Sequence, residues 1–399
     1  MNLYAARGVP TVINAAGTLT RLSGGVMRPE VVAAMAEASA HAVEIDALQA
    51  HASSVIAGIT GVEAGYVASG AAACLLIGTA AAVTGLDPHS MARLPDTAGM
   101  KNEVIVARTH RNGYDHAVRA TGVKLVEVGL PERVSGAGVR DAEASDYAAA
   151  IGPDTAAVFY VADRNARPPL AEVVAVAHAA GVPVIVDAAA ELPPQANLRR
   201  FVEEGADLVA FSGGKAIGGP QASGFLAGKR DLIMAAALQH LDMDTLPALW
   251  NPPPSLIDKN RLGALPRQGI GRACKAGKEE IVGLLTALEL FVAEGDAARH
   301  ARWLADANRV MQALGDNLPA EVGLGGADST EDVPTVALRF PRGSEANALA
   351  LVRALLQYTP AIHVDASFSD RGIVTVNPIA LRPGEADVVG RAVRRALGG

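Results

Sequence analysis

The stretch Phe211-Ser-Gly-Gly-Lys-Ala-Ile-Gly-Gly-Pro-Gln221 decides how this chain is read. One lysine, Lys215, sits between two glycine pairs. Ala206-Asp-Leu-Val-Ala-Phe211 before it and Ser223-Gly-Phe-Leu-Ala-Gly228 after it have the composition of short buried strands. An ammonium held there costs several kcal/mol unless it is paired or neutralised. Two readings fit. The lysine can snorkel from a turn to solvent, or its amine can condense with an aldehyde cofactor as a Schiff base.

The surrounding pattern is that of an α/β protein. Runs such as Glu103–Arg108, Val123–Val128, Thr155–Val161 and Val182–Asp187 are strand-like, and helical stretches lie between them. This alternation predicts a mostly parallel sheet covered on both faces, with ligands beyond the C-terminal ends of the strands. Ser69, His110, Asp163, Asp187 and Lys215 all fall at or just past such ends. From about residue 308 the pattern is that of a smaller α/β unit. The expected division is an N-terminal segment, 1–45, packing with the small domain, a large domain over 46–280 and a small C-terminal domain over 281–399.

Bulk properties narrow the function. The 399 residues are 50% hydrophobic and 19% charged, with a net charge of −7. That balance disfavours a nucleic-acid surface. Cys74 and Cys274 show neither CxxC nor metal-ligand spacing, which fits a reducing compartment. No leader-like N-terminus or membrane-length apolar run is present, so a cytoplasmic location without membrane, nucleic-acid or metal partners is expected.

Ala64-Gly-Tyr-Val-Ala-Ser-Gly-Ala-Ala-Ala-Cys-Leu-Leu-Ile-Gly78 reads as a strand, a tight turn at Ser69-Gly70 and an alanine-rich helix. Free N–H groups at such a helix start, with small side chains beside them, suit a phosphate; the plainer alternative is a close-packed strand-to-helix turn. It is neither a Walker loop nor a GxGxxG turn. Asp187, ending an apolar strand, needs a cationic partner. In a pyridoxal phosphate (PLP) site it would hold the protonated ring nitrogen, so that the ring accepts electrons released at the substrate Cα. Lys215 would bind the cofactor and act as the base at Cα. Ser69, Gly70, Ala71 and Ser212 would hold the phosphate.

These residues resemble a known family. The lysine segment Phe211–Gly228 is similar to that of bacterial selenocysteine synthase (L-seryl-tRNA(Sec) selenium transferase) and its relatives. Among those, the D-glucosaminate-6-phosphate ammonia-lyases share the Ser-Gly-Gly-Lys. Val12-Ile-Asn-Ala-Ala-Gly17, Val182–Asp187 and the Gly271–Leu285 segment add to the likeness. The resemblance implies the PLP-dependent transferase architecture of fold type I, PLP on Lys215 and a homodimer or higher homo-oligomer. The selenium transferases carry a tRNA-binding N-terminal domain, whereas this sequence enters the shared motif by residue 11; a small amino acid is therefore the expected substrate.

Further residues have two readings each. Arg272, Lys275 and Lys278 form a basic cluster where related enzymes bind an anion, or a solvated charged face. His110, Arg111, Tyr114 and His116 lie where fold-type-I enzymes stack a ring on the cofactor, with His110 favoured because it follows its strand directly; the alternative is a surface histidine. Asp163 and Arg164 are candidate substrate contacts at a strand end, and Arg371 and Arg382 are either carboxylate clamps or members of surface salt bridges. The expected reaction is Cα deprotonation and β-elimination on a hydroxy amino acid or amino sugar acid, releasing ammonia and a 2-oxo acid. Racemisation, aldol cleavage, transamination and a non-catalytic binding role are the alternatives.

Overall fold

A computed structural model describes residues 3–130 and 141–398. Seven strands form the main sheet: β2 (Ala64–Ala68), β3 (Glu103–Ala107), β4 (Lys124–Val128), β5 (Thr155–Val161), β6 (Val184–Asp187), β7 (Leu208–Ser212) and β8 (Gly224–Gly228). β1 (Val12–Ala15) lies elsewhere. The sheet order is β2-β8-β7-β6-β5-β3-β4. Neighbours are parallel except β8, which is antiparallel to both β2 and β7. Two reversals in series restore direction. The C-termini of β2, β7, β6, β5, β3 and β4 therefore lie along one sheet edge.

The strands are apolar on both faces because both are covered. Alternate residues still separate cleanly: Val184, Val186, Val209 and Phe211 join one core, whereas Ile185, Leu208 and Ala210 join the other. The helix Ala71–Thr84 is apolar nearly all round because it is wedged between the sheet and the helix Arg230–His240. On the opposite face lies the helix Ile45–Thr60.

Strand β2 is an edge, and free edge groups invite mispairing. Here they are occupied by side chains of the helix Ile45–Thr60. Gln49, fully buried, donates from Nε2 to the Val67 carbonyl (2.8 Å) and accepts the Val67 N–H at Oε1 (3.0 Å). Ser53 Oγ accepts the Gly65 N–H (3.0 Å). The strand that delivers Ser69 is thus fixed on its open side.

The smaller unit has its own core. β9 (Glu321–Gly325), β10 (Thr335–Arg339) and β12 (Ile373–Val376) form an antiparallel sheet, while β11 (Ala361–Val364) pairs in parallel with β1. Helices Glu345–Leu356 and Glu385–Ala396 pack in this core. The helix that starts at Lys278 runs to Leu314, interrupted at Gly295 (φ 71°, ψ 163°). Among the described residues, no helix is long and apolar enough to cross a membrane.

Candidate active site

A cavity of about 430 Å³ opens at the C-terminal edge of the main sheet. Ser69, Gly70, Ala71, Asp187, Ser212 and Lys215 all line it, so three stretches far apart in sequence meet in one place. Asp187 is the last residue of β6, and Lys215 lies three residues past β7, the strand beside it.

The Ser69-Gly70 turn is built from backbone geometry. Gly70 precedes the helix Ala71–Thr84 with φ +136°, a conformation that side-chain-bearing residues avoid. Among the described residues no side chain caps this helix, and Gly70, Ala71 and Ala72 at its start line the cavity, where a helix start offers N–H groups to an anion. β8 runs immediately beneath: a Cβ on Gly224 would lie 2.5 Å from the Gly70 carbonyl carbon and 2.6 Å from the Ala71 nitrogen. Ser212 lies at the end of β7, on the same wall.

Asp187 is buried, and Oδ1 accepts the Ala189 N–H (3.0 Å). Burial pushes its carboxyl above the usual range, against the pull of the Ala189 N–H and the Lys215 charge. Lys215 shifts the other way. Burial lowers its ammonium, with Asp187 and Glu191 opposing. Each group is moved toward its neutral form, and each restrains the shift of the other.

Of the remaining candidates, Tyr114 lines the same cavity and most of the others sit elsewhere. His110 is buried edge-on against the Tyr160 ring, with centroids 4.6 Å apart at 82°, while Asn112 and Tyr114 of the same loop line the cavity. Arg111 pairs with Asp115 and Glu127. Asp163 accepts the Asn165 N–H (2.6 Å), and Arg164 reaches across to Asp332. Arg272 and Lys275 line a separate cavity of about 630 Å³ with Asp46, His240 and Trp250, and Arg272 donates to Asp242 (3.1 Å). Lys278 pairs with Glu279. Arg371 lies over the Phe368 ring and Arg382 pairs with Glu385 (3.2 Å).

The sequence reading passed over Thr20, Asn112 and Gln221, which also line the cavity. Gln221 donates from Nε2 to Thr20 Oγ1 (3.2 Å) across some two hundred residues of chain, a pairing with no local signal. Glu191 was passed over too. Its carboxyl is raised by burial first and then by Asp163 and Asp187, while Arg200 and Lys215 lower it. Its position four residues after Asp187, at the same sheet edge, was the available clue.

PLP asks for an anion cradle, an acid for the ring nitrogen and an amine for the aldehyde. The uncapped helix start, Asp187 and Lys215 supply these three chemistries within one cavity. The residues present fit the cofactor.

The family description "L-seryl-tRNA selenium transferase" (SelA) matches residues 12–244, more than half of the chain. A 5'-C-glycyluridine monooxygenase-decarboxylase of a Streptomyces species is 32% identical, covering 97% of this chain and 90% of that protein. A D-glucosaminate-6-phosphate ammonia lyase of Salmonella typhimurium is 36% identical over 73% of this chain and 70% of that protein. A solved structure of D-glucosaminate-6-phosphate ammonia-lyase superposes with a TM-score of 0.79 at 29% identity, covering 100% of this chain and 98% of that one. With a sheet edge that gathers a lysine, an aspartate and an open helix start, and with these likenesses along its length, the chain belongs to the L-seryl-tRNA selenium transferase family and is a PLP-dependent enzyme of fold type I.

Proposed function

We propose that the protein is a lyase that removes the Cα proton of a hydroxy amino acid or amino sugar acid and expels its β-hydroxyl as water, and that water then hydrolyses the released enamine to ammonia and a 2-oxo acid. The observation that carries this reading is the shared cavity of Lys215, Asp187 and the Ser69–Ala71 turn. PLP, when bound, supplies a cationic ring that takes up the electron pair left at the substrate Cα.

The chain's own groups do the rest. The N–H groups of Gly70, Ala71 and Ala72, with the hydroxyls of Ser69 and Ser212, bind the cofactor phosphate. Asp187 would hold the proton on the ring nitrogen; its burial would make that interaction strong, because a carboxylate in low dielectric gains more from a cation than one in water. Lys215 would hold the cofactor through its amine and would serve as the base that accepts the Cα proton at Nζ. The lowered affinity of Lys215 for a proton suits that task, since a base must be unprotonated to act. A basic cluster at Arg272 and Lys275 would serve a substrate anion in an assembly that brings its cavity to a neighbouring copy's site.

Ammonia and 2-oxo acid release from serine, threonine, D-glucosaminate and its 6-phosphate tests this reading. A second reading has its own support in the likeness to the monooxygenase-decarboxylase, which spans nearly the whole chain. Turnover that requires oxygen and releases carbon dioxide would favour it. Anaerobic ammonia release favours the lyase.

A further inference from the structure

Behind the Ser69-Gly70 turn, beside the second cavity that His240 lines, lies a buried polar chain. The mechanism uses none of its side chains. His240, the last residue of the helix Arg230–His240, is 3% exposed. Its Nε2 lies 2.9 Å from the Cys274 carbonyl oxygen and its Nδ1 2.8 Å from Tyr66 Oη. The same Cys274 carbonyl accepts the Ser69 N–H (3.2 Å).

Hydrogen-bond chemistry orients this chain. A carbonyl only accepts, so Nε2 carries the ring proton and Nδ1 of a neutral imidazole accepts the Tyr66 hydroxyl. Burial lowers the imidazole pKa to about 4, with Arg272 adding to that and the Cys274 carbonyl opposing it, which keeps the ring in this neutral form at ordinary pH. Tyr66 also packs edge-on against the ring, with centroids 5.2 Å apart at 82°. The Ser69 turn thus has a second anchor, on the face opposite Gln49.

We infer that His240 is a positioning residue for the cofactor phosphate: by holding the Cys274 carbonyl it fixes the Ser69 N–H, and with it the turn that opens the Ala71 helix to the cavity. This rests on the reading that the turn binds the phosphate of PLP. Without the Nε2 contact the Cys274 carbonyl loses one of its two donors and can turn away, so the turn is competent in only a fraction of molecules. Apparent affinity falls by that fraction.

The test compares His240→Phe, His240→Gln and Tyr66→Phe by PLP titration, with melting temperature and hydrogen exchange over residues 66–74 measured on the cofactor-free protein. His240→Phe removes both bonds and is expected to weaken PLP binding about tenfold and to speed exchange in the turn. Gln can place its Nε2–H₂ near the position of the ring Nε2–H, so His240→Gln should stay within about threefold of the parent. Tyr66→Phe leaves the Cys274 contact and should also stay within about threefold. If His240→Phe does not fold, His240→Asn, which keeps the Tyr66 side and is too short for Cys274, replaces it. Parent-like PLP affinity and parent-like exchange in the Phe or Asn variant would overturn the inference. So would losses that track melting temperature alone across all variants. A parent protein that binds no PLP would instead overturn the cofactor reading itself, and the exchange comparison would still report on the turn.

Discussion

Asp187 and Lys215 face one cavity from the ends of adjacent parallel strands, and burial drives them in opposite directions, the carboxyl up and the ammonium down. A pair held this way is costly to the folded protein and useful to chemistry. The carboxylate is poised for a cation, and the amine is readily deprotonated.

Lys215→Ala is expected to lower turnover by on the order of 10³-fold or more, because it removes the proposed base and the amine for the aldehyde. Borohydride treatment of the parent should add the cofactor's mass to the peptide containing Lys215, and mass mapping of the variant should find no such adduct. Parent-like turnover in Lys215→Ala would sink the proposed mechanism.

Asp187→Asn separates stability from activity. A carboxyl whose folded value lies above the unfolded one binds more protons when folded between those two values. Its stabilising contribution is therefore complete below the unfolded value of 3.8 and is lost as pH rises through the raised value. The cofactor-free Asn variant should consequently melt higher than the parent at neutral pH, with the gap closing toward pH 4. Turnover should fall by on the order of 10²-fold. Equal melting curves at both pH values would argue against a raised Asp187.

Lys215 sets a matching dependence on the alkaline side. A lysine whose folded value is lowered binds fewer protons when folded, so the cofactor-free protein gains stability from this group as pH rises from the depressed value toward 10.5. Lys215→Met should remove that alkaline gain and raise stability at pH values below the window. Urea midpoints at several pH values measure it.

Gly70→Ala tests the backbone rather than a side chain. A Cβ there meets nothing within 4 Å, so its cost is torsional, from φ +136°. The loss should be about 1–3 kcal/mol in denaturant midpoint. PLP affinity should fall with it, because relaxing the strain re-aims the helix N–H groups. A variant with unchanged midpoint and affinity would show that the turn tolerates a side chain.

Gln49→Leu keeps the volume but strips Val67 of both partners. Two buried backbone groups left open cost about 2–6 kcal/mol in all. The urea midpoint should drop without a change in the slope of the transition. A drop below about 0.5 kcal/mol, the size of an ordinary surface change, would mean the edge strand finds other partners.

Much of this protein was legible from its residues. Strand-forming apolar runs separated by helices imply a covered parallel sheet, because only such a sheet hides both faces of each strand. Asp187 and Lys215 could be read at strand ends, since polar groups in apolar surroundings stand out, and the lysine segment carried the family likeness. Tertiary structure decided what depends on contacts between distant segments. It placed Tyr114 and Asn112 at the cavity and His110 against Tyr160, because the short helical turn after β3 buries the histidine ring. It sent Arg272 and Lys275 to a second cavity, and joined Tyr66, His240 and Cys274 behind Ser69. Sequence reports which groups a chain has and their local period. Which of them face one another is set by packing, where each buried donor must find an acceptor that local sequence does not name.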